Sequence, residues 1–386
     1  MKLALALFKY FPFGGVQRDC LRIAQVLQDR GHQVELLCID WQGERPDNIP
    51  VKQLTVWGMS NHRRYRNFAK KARSYCRRRG VDGLIGFNKI AGLDVYFAAD
   101  GCYRLKSESK SGLYRLTPRY KYFCADEHAV FGEQKKTHIL ALSKREMTHY
   151  QQTYRTPRSR FTLLPPGISA DRKPTPDSAA IRTQYRHGLG VGEQQKLLLM
   201  VGSGFKTKGL DRALYALKSL DNGKNPPAKF VIIGKDNFDP FRKLANRMGL
   251  TEQVEFFPGR TDIPQLLQAA DLLLHPAYYE NSGMILLEAL VAGLPVLTTE
   301  ACGYAHYVSE ADGGWVLPEP FDQSEMNRVL QNILSGDDLP RWRTNGIRFG
   351  KTADLFGLHD TAADVIERVI GSKLAATDRL TNHATP

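Results

Sequence analysis

Short apolar runs of strand length recur along this 386-residue chain, and between them lie stretches whose apolar residues follow helical spacing. Successive parallel strands need a crossover connection, usually a helix, so this alternation predicts βα units and an α/β fold. In the first half the strand-length runs cover 2–8, 33–39, 83–87, 95–98 and 138–142. The second half repeats the pattern at 197–201, 230–233, 254–257, 272–274, 296–298 and 315–317. Gly14 and Gly15 follow the first run and open a helix with Val16, Cys20, Ile23, Ala24 and Leu27 on one face. Later helices carry Leu210, Ala213, Leu214 and Leu217, then Ile263, Leu266, Leu267 and Ala270. The length favours two domains, and the turn Pro165-Pro166-Gly167 with the polar stretch up to Thr183 marks a boundary. The expected architecture is two doubly wound, Rossmann-like domains, 1–166 and 167–355, facing a central cleft. A helix over 356–374 is expected to pack back on the first domain, with a frayed tail over 375–386.

Charge separates the halves. The first 170 residues hold 30 Lys and Arg against 14 Asp and Glu, a net +16; the remainder holds 24 against 26, a net −2. One basic run lies over 63–79. A second segment mixes Arg104, Lys106, Lys110, Arg115, Arg119 and Lys121 with Tyr103, Tyr114, Tyr120, Tyr122 and Phe123. Cations interleaved with aromatic rings suit an anionic membrane surface, where each cation contributes about 1 kcal/mol, and would also suit single-stranded nucleic acid. For 63–79 a plainly solvated face is the equal alternative. No apolar run nears the roughly 20 residues of a bilayer span, and 2–8 lacks a small-residue cleavage site, so a soluble, cytosolic chain is expected. The six cysteines form no C-x-x-C pair and read as reduced thiols.

The stretch from His275 through Glu280, Ser282, Gly283, Met284 and Ile285 to Glu288 holds most of the candidate chemistry. A strand ends, a polar turn follows, and a helix begins near Ser282 or Gly283, apolar all round except at Glu288. A carboxylate there needs a ligand or a partner. Glu288 lies roughly 9 Å along the axis from such a start. The N–H groups of Ser282, Gly283, Met284 and Ile285, lying between the two acids, would attract phosphate. Two hydroxyl-binding acids flanking an anion site suit a nucleotide sugar; pairing of Glu288 with an arginine is the alternative. The loop Gly202-Ser203-Gly204-Phe205-Lys206-Thr207-Lys208-Gly209 has neither P-loop nor dinucleotide spacing, but offers cations for a diphosphate. Arg172 would reach the same place, or pair with Asp171 or Asp177. Gly14 and Gly15 allow close backbone approach to phosphate or sugar, or serve the turn alone. Asp19 and Asp100 are candidates for binding acceptor hydroxyls or accepting a proton, or simply cap helices. There is no Asp-x-Asp pair and no His cluster at metal-ligand spacing, so no metal is expected.

With Glu280 and Glu288 forming a Glu-x7-Glu element, the chain resembles the family-4 retaining glycosyltransferases of GT-B fold. The stretches Lys9-Tyr10-Phe11-Pro12-Phe13-Gly14-Gly15, Gly92-Leu93-Asp94-Val95-Tyr96-Phe97-Ala98-Ala99-Asp100, Leu164-Pro165-Pro166-Gly167-Ile168 and Cys302-Gly303-Tyr304-Ala305-His306-Tyr307 are similar to the lipopolysaccharide core glucosyltransferases within it. The resemblance implies metal-independent α-1,3 transfer of glucose from UDP-glucose to an inner-core heptose of a Gram-negative bacterium, with retention at the anomeric carbon. Glu280 would then hold the donor glucose, Glu288 the ribose, and Lys208 and Arg172 the diphosphate. Gly15 would approach the donor, and Asp19 and Asp100 would serve the acceptor. Segment 103–131, with Tyr103 and Phe131 at its ends, would meet the cytoplasmic face of the inner membrane, and no nucleic-acid partner is expected. Thr207 stands where the family leads one to expect an arginine. Alternatives are another UDP-sugar donor with the same acceptor class, or a non-catalytic protein binding anionic membranes or polyanions.

Overall fold

The computed structural model describes all residues except Phe13, Ser109, 222–225 and 383–386, and the backbone alone at 378 and 380–382. The chain falls into two compact units, Met1–Pro165 with Gly357–Pro386, and Pro166–Phe356. In chain order the first unit contains β1 (Lys2–Ala6), β2 (Lys9–Tyr10), α1 (Gly15–Asp29), β3 (Gln33–Cys38), β4 (Asp40–Trp41), β5 (Val51–Gln53), α2 (Asn61–Arg79), β6 (Gly83–Gly86) and β7 (Val95–Ala98). It continues with α3 (Tyr103–Lys106), α4 (Gly112–Leu116), α5 (Pro118–Phe131), β8 (His138–Ala141), α6 (Lys144–Tyr154) and β9 (Phe161–Leu163). Among the described residues its main sheet runs β5-β3-β1-β6-β7-β8-β9, every pairing parallel. Side chains alternate between the faces of a strand, and here both faces are covered: Ala4, Ala6, Tyr96 and Ile139 join one core, while Leu3, Leu5, Phe97 and Leu140 are equally buried.

The second unit contains α7 (Ser178–Gly188), β10 (Lys196–Val201), α8 (Leu210–Lys218), β11 (Ala228–Ile233), α9 (Asp239–Arg247), β12 (Val254–Phe257), α10 (Ile263–Ala269) and β13 (Leu272–His275). After these come α11 (Met284–Val291), β14 (Val296–Thr299), α12 (Ala305–Glu310), β15 (Gly314–Leu317), α13 (Gln323–Ser335) and α14 (Asp338–Thr352). Its parallel sheet runs β12-β11-β10-β13-β14-β15. This is Rossmann strand order, with its reversal between β10 and β13. Leu197, Leu199, Val231 and Ile233 enter one core, and Leu198, Met200, Phe230 and Ile232 the other. Helix α7 begins at Ser178, inside the stretch read as linker, because the residues after Asp177 are good helix formers.

Helix α15 (Leu358–Asn382) completes the first unit. It extends past the expected end at 374, since Leu374, Ala375 and Ala376 favour helix and no Gly or Pro stops it; the last four residues of the expected tail lie outside the described residues. Leu358, Ala362, Ile366 and Ile370 are fully buried. Arg30 pairs with Asp364 (2.6 Å) and Glu367 (3.0 Å), and His32 with Glu367 (2.7 Å). A Cβ on Gly83 would come within 2.6 Å of the Ile370 side chain, so that glycine makes room for the helix.

The base of the aromatic segment is fixed by two buried acids. Glu127 accepts from Lys89 Nζ (2.7 Å), Tyr154 Oη (2.7 Å), Tyr103 N (2.8 Å) and Arg104 N (3.0 Å). Glu146 accepts from Cys102 N (2.8 Å). Burial alone would raise the Glu127 titration, but Lys89 and the backbone donors outweigh it and the carboxyl is held below its usual range. Its contribution to stability is therefore present above about pH 4.3, the ordinary glutamate value, and is lost as pH falls below that toward the folded-state value. Glu127→Gln is expected to cost about 3 kcal/mol at pH 7, with the deficit shrinking on acidification; urea unfolding at several pH values checks it.

Candidate active site

Two neighbouring strands of the second unit release their following loops at the same edge of the sheet. β10 and β13 pair through Leu198 with Leu272 and Leu199 with Leu273. The loop after β10 turns at Gly202, Gly204 and Gly209, with φ of 120°, 83° and 75°. At Gly209 a Cβ would stand 2.0 Å from the Pro276 carbonyl oxygen, so only glycine lets α8 start against the exit of β13. Asp236, after β11, accepts from Gly204 N (3.1 Å) and Phe205 N (2.9 Å). Tyr278 N donates to the Thr207 carbonyl (2.8 Å). Arg212 donates to the Pro276 and Ala277 carbonyls and stacks on Tyr278 and Phe321, 3.6 and 3.7 Å from their ring centres.

This scaffold brings Lys208 and Glu280 into an ion pair. Glu280 is held at its backbone as well: its N–H donates to the Ala301 carbonyl (3.1 Å), and its own carbonyl accepts from Gly303 N (3.1 Å). Behind it sits His275, fully buried, with Nε2 3.7 Å from the Glu280 carboxylate. Burial lowers the His275 titration and keeps the ring neutral near pH 7. For Glu280, burial acts upward, but His275 and the Lys208 ammonium overcome it and hold the carboxyl at about 2. Glu280 is thus an anion throughout the working pH range. His275 has no assigned role from the sequence; its signal was a polar residue ending an otherwise apolar strand.

Helix α11 starts at Met284, with Gly283 in the left-handed region (φ 85°) as its N-cap, later than expected. Glu288 therefore lies only about 6 Å along the axis from the start. A helix start leaves its first N–H groups without intrahelical acceptors, so Met284 and Ile285 present them beside Ser282 and Glu280. Glu288 is buried and its carboxylate accepts from Arg172 Nε (3.0 Å); Arg172 also pairs with Asp171 (2.8 Å). For both residues, the pairing alternative is the one found. Thr207 is exposed and contributes its carbonyl rather than charge, while Lys206 is exposed beside it.

The remaining candidates lie on the first unit. Gly14 is the N-cap of α1, and a Cβ there would strike Gln17 and Phe11. A Cβ on Gly15 would meet nothing within 4 Å, so the space over it is open; neighbouring Phe13 lies outside the described residues. Asp19 does not cap a helix. It pairs with His359 of α15 (3.0 Å), a tie between α1 and α15. The Asp100 side chain is exposed, and its carbonyl accepts from Tyr150 Oη (2.7 Å).

The glycosyl transferases group 1 family profile matches residues 181–348, which include the Lys208 and Glu280 loops. The lipopolysaccharide glucosyltransferase WaaG of Escherichia coli (strain K12) is 44% identical over 95% of this chain and 98% of its own length. The chain belongs to the WaaG family of glycosyltransferases. A crystal structure of WaaG superposes with a TM-score of 0.89 at 43% identity, covering 94% of this chain and 99% of that one. Sucrose-phosphate synthase from Thermosynechococcus elongatus shares the fold alone, with a TM-score of 0.76 at 16% identity over 97% of this chain and 99% of its own. The WaaG-family chain is thus an α/β protein of GT-B fold, and an enzyme.

Arg172→Met strands the buried Glu288 carboxylate and is expected to cost about 3–5 kcal/mol of stability. Adding Glu288→Leu should recover most of that loss, which urea unfolding of the four chains of the double-mutant cycle measures.

Proposed function

We propose that this chain transfers glucose from UDP-glucose to a heptose of the lipopolysaccharide core, with retention at the anomeric carbon and without a metal ion. The reading rests first on one observation: Lys208 and Glu280 meet at the strand-order reversal of a Rossmann sheet, where doubly wound folds bind ligands. The 44% identity to a lipopolysaccharide glucosyltransferase supports the acceptor class. Glu280, ionised and fixed at its backbone, accepts hydroxyl hydrogens of the donor sugar. Lys208 has three donors, so it keeps Glu280 and turns another toward the diphosphate. The N–H groups of Ser282, Gly283, Met284 and Ile285 share the phosphate charge, and Glu288 with Arg172 serves the ribose and diphosphate.

In the step itself, the bond from the anomeric carbon to the β-phosphate oxygen breaks, and the acceptor hydroxyl oxygen bonds to that carbon on the same face. The departing phosphate takes the acceptor proton, and the Lys208 and Arg172 cations stabilise the charge that develops on it. Asp100 binds the acceptor hydroxyl. The acceptor is lipid-linked, and in this reading segment 103–131 lies on the anionic cytoplasmic face of the inner membrane: Leu113 and Leu116 are 78% and 67% exposed among its cations. No helix of the described residues is long and apolar enough to cross a membrane.

Turnover of UDP-glucose with a heptose-terminated core acceptor is expected to persist in EDTA and to exceed that of UDP-galactose and UDP-N-acetylglucosamine. Glu280→Gln should lower kcat by about two orders of magnitude while vesicle binding stays intact. Preference for another donor would sink the glucose assignment. Loss of turnover in EDTA would sink metal independence, and unchanged sedimentation of Arg115→Glu/Arg119→Glu with anionic vesicles would remove the membrane role of 103–131.

A further inference from the structure

The loop before α2 carries the two most exposed large apolar side chains among the described residues, Trp57 at 83% and Met59 at 91%. A single exposed apolar residue is ordinary on a protein surface, but this pair projects from a backbone that is held in place. Asn67 donates to the Trp57 carbonyl (2.6 Å). Between the two, a Cβ on Gly58 would stand 2.8 Å from Arg64 N, so the loop lies directly on the first turn of α2.

A cavity of about 510 Å³ opens between loop and helix, lined by Trp57 and Met59 on one side and by Arg63, Arg66 and Lys70 on the other. The three cations follow i, i+3, i+7 spacing and share a helix face. All three are exposed, and among the described residues no acid lines the cavity. Other cations of α2 are spent within the fold: Arg64 on Asp40 (3.4 Å) and Lys71 on the Thr55 carbonyl (2.6 Å). Asp126, on α5, feels the charges of Arg73 and Arg66, and it lies partly buried outside the lining. Tyr65 and His62 of α2 lie 6.5 and 6.1 Å from Phe123 and Tyr122 of α5, so the cavity's helix adjoins the basic aromatic segment.

We propose that the Trp57–Met59 loop and the Arg63, Arg66, Lys70 face of α2 form a docking site for the phosphate head group of an anionic phospholipid in a bilayer leaflet. Trp57 and Met59 enter the interface, where an indole ring places its apolar body in the chain region and its N–H toward water. The two guanidinium groups fork onto phosphate oxygens, and Lys70 adds a mobile point charge. A soluble phosphoryl group would use the cations and leave the apolar pair without a partner. A single-stranded nucleic acid would want a series of stacking rings, and the cavity offers one. The site does not require segment 103–131 to bind lipid, and the two are separable by variants.

The test is sedimentation of the full chain with vesicles of phosphatidylcholine, with and without phosphatidylglycerol. Trp57→Ser/Met59→Ser and Arg63→Gln/Arg66→Gln/Lys70→Gln are each expected to lower partition onto the mixed vesicles by about tenfold or more, with thermal melting unchanged. Emission of the wild-type chain minus that of Trp57→Phe should shift to the blue on binding and be quenched by brominated acyl chains. Wild-type partition by both variants, or a Trp57 that brominated lipid does not quench, overturns the proposal. So does a full emission shift with inorganic phosphate alone, or oligonucleotide binding that both variants lose while vesicle partition is absent. A loss confined to Arg115→Gln/Arg119→Gln overturns this site and leaves 103–131 as the membrane surface.

Discussion

In a sheet whose strands are all parallel, every carboxyl end leaves by the same edge, and this one constraint builds the candidate site. β10 and β13 are separated by some 70 residues, yet their pairing at Leu198–Leu272 and Leu199–Leu273 delivers two loops to one place. The rest follows from close fits between those loops: a glycine where Pro276 leaves no room for a Cβ, a carbonyl of Thr207 answering Tyr278, a guanidinium of Arg212 closing the seam. Lys208 and Glu280 then meet with little freedom left to lose. An ion pair on flexible side chains is worth little because ordering it costs entropy, and here the backbone is already fixed, so only the side-chain rotamers are left to order.

Much of the fold was legible because both faces of each sheet are buried. Buried parallel strands read as nearly continuous apolar runs, and the runs of both halves coincide with strands to within a residue or two. The missed strands, β2, β4, β5 and β9, have two or three residues each, too few to carry a period. Residue types at the site were legible too, since a carboxylate in an apolar helix demands a partner. Which partner was not, because Arg172 stands 116 residues from Glu288 and only the folded chain decides that they meet. Asp19 shows the same limit in sharper form. Its place one turn into the first helix suggested an acceptor ligand or a cap, and the partner it has in the structure, His359, lies 340 residues away on a helix whose extent the sequence also understated.

The first unit manages its charge by dividing it. Glu127 and Glu146 gather backbone and side-chain donors around Cys102, Tyr103 and Arg104, so the basic aromatic segment springs from a rigid base. Beyond that base, Lys110 lies over the Tyr114 ring (4.3 Å), Arg119 lies over Phe123 (5.6 Å), and Tyr103 and Tyr114 share a hydroxyl hydrogen bond (2.6 Å). Two of the segment's cations thus rest on aromatic rings rather than against carboxylates, which leaves that surface basic.

Helix α15 gives the first unit a history as well as a shape. Its buried face, with Leu358, Ile366 and Ile370, is made by the last residues of the chain, while β1 and α1 are made by the first. About 190 residues of the second unit are translated between Pro165 and Gly357, which at bacterial rates of synthesis takes roughly 10–40 s. During that interval the hollow that Gly83 keeps for Ile370 stands uncovered, and Arg30 and Asp19 wait for their partners. The second unit has no such debt, since all its strands and helices are contiguous in sequence. The unit that starts to leave the ribosome first therefore cannot complete its packing until the whole of the other has been synthesised.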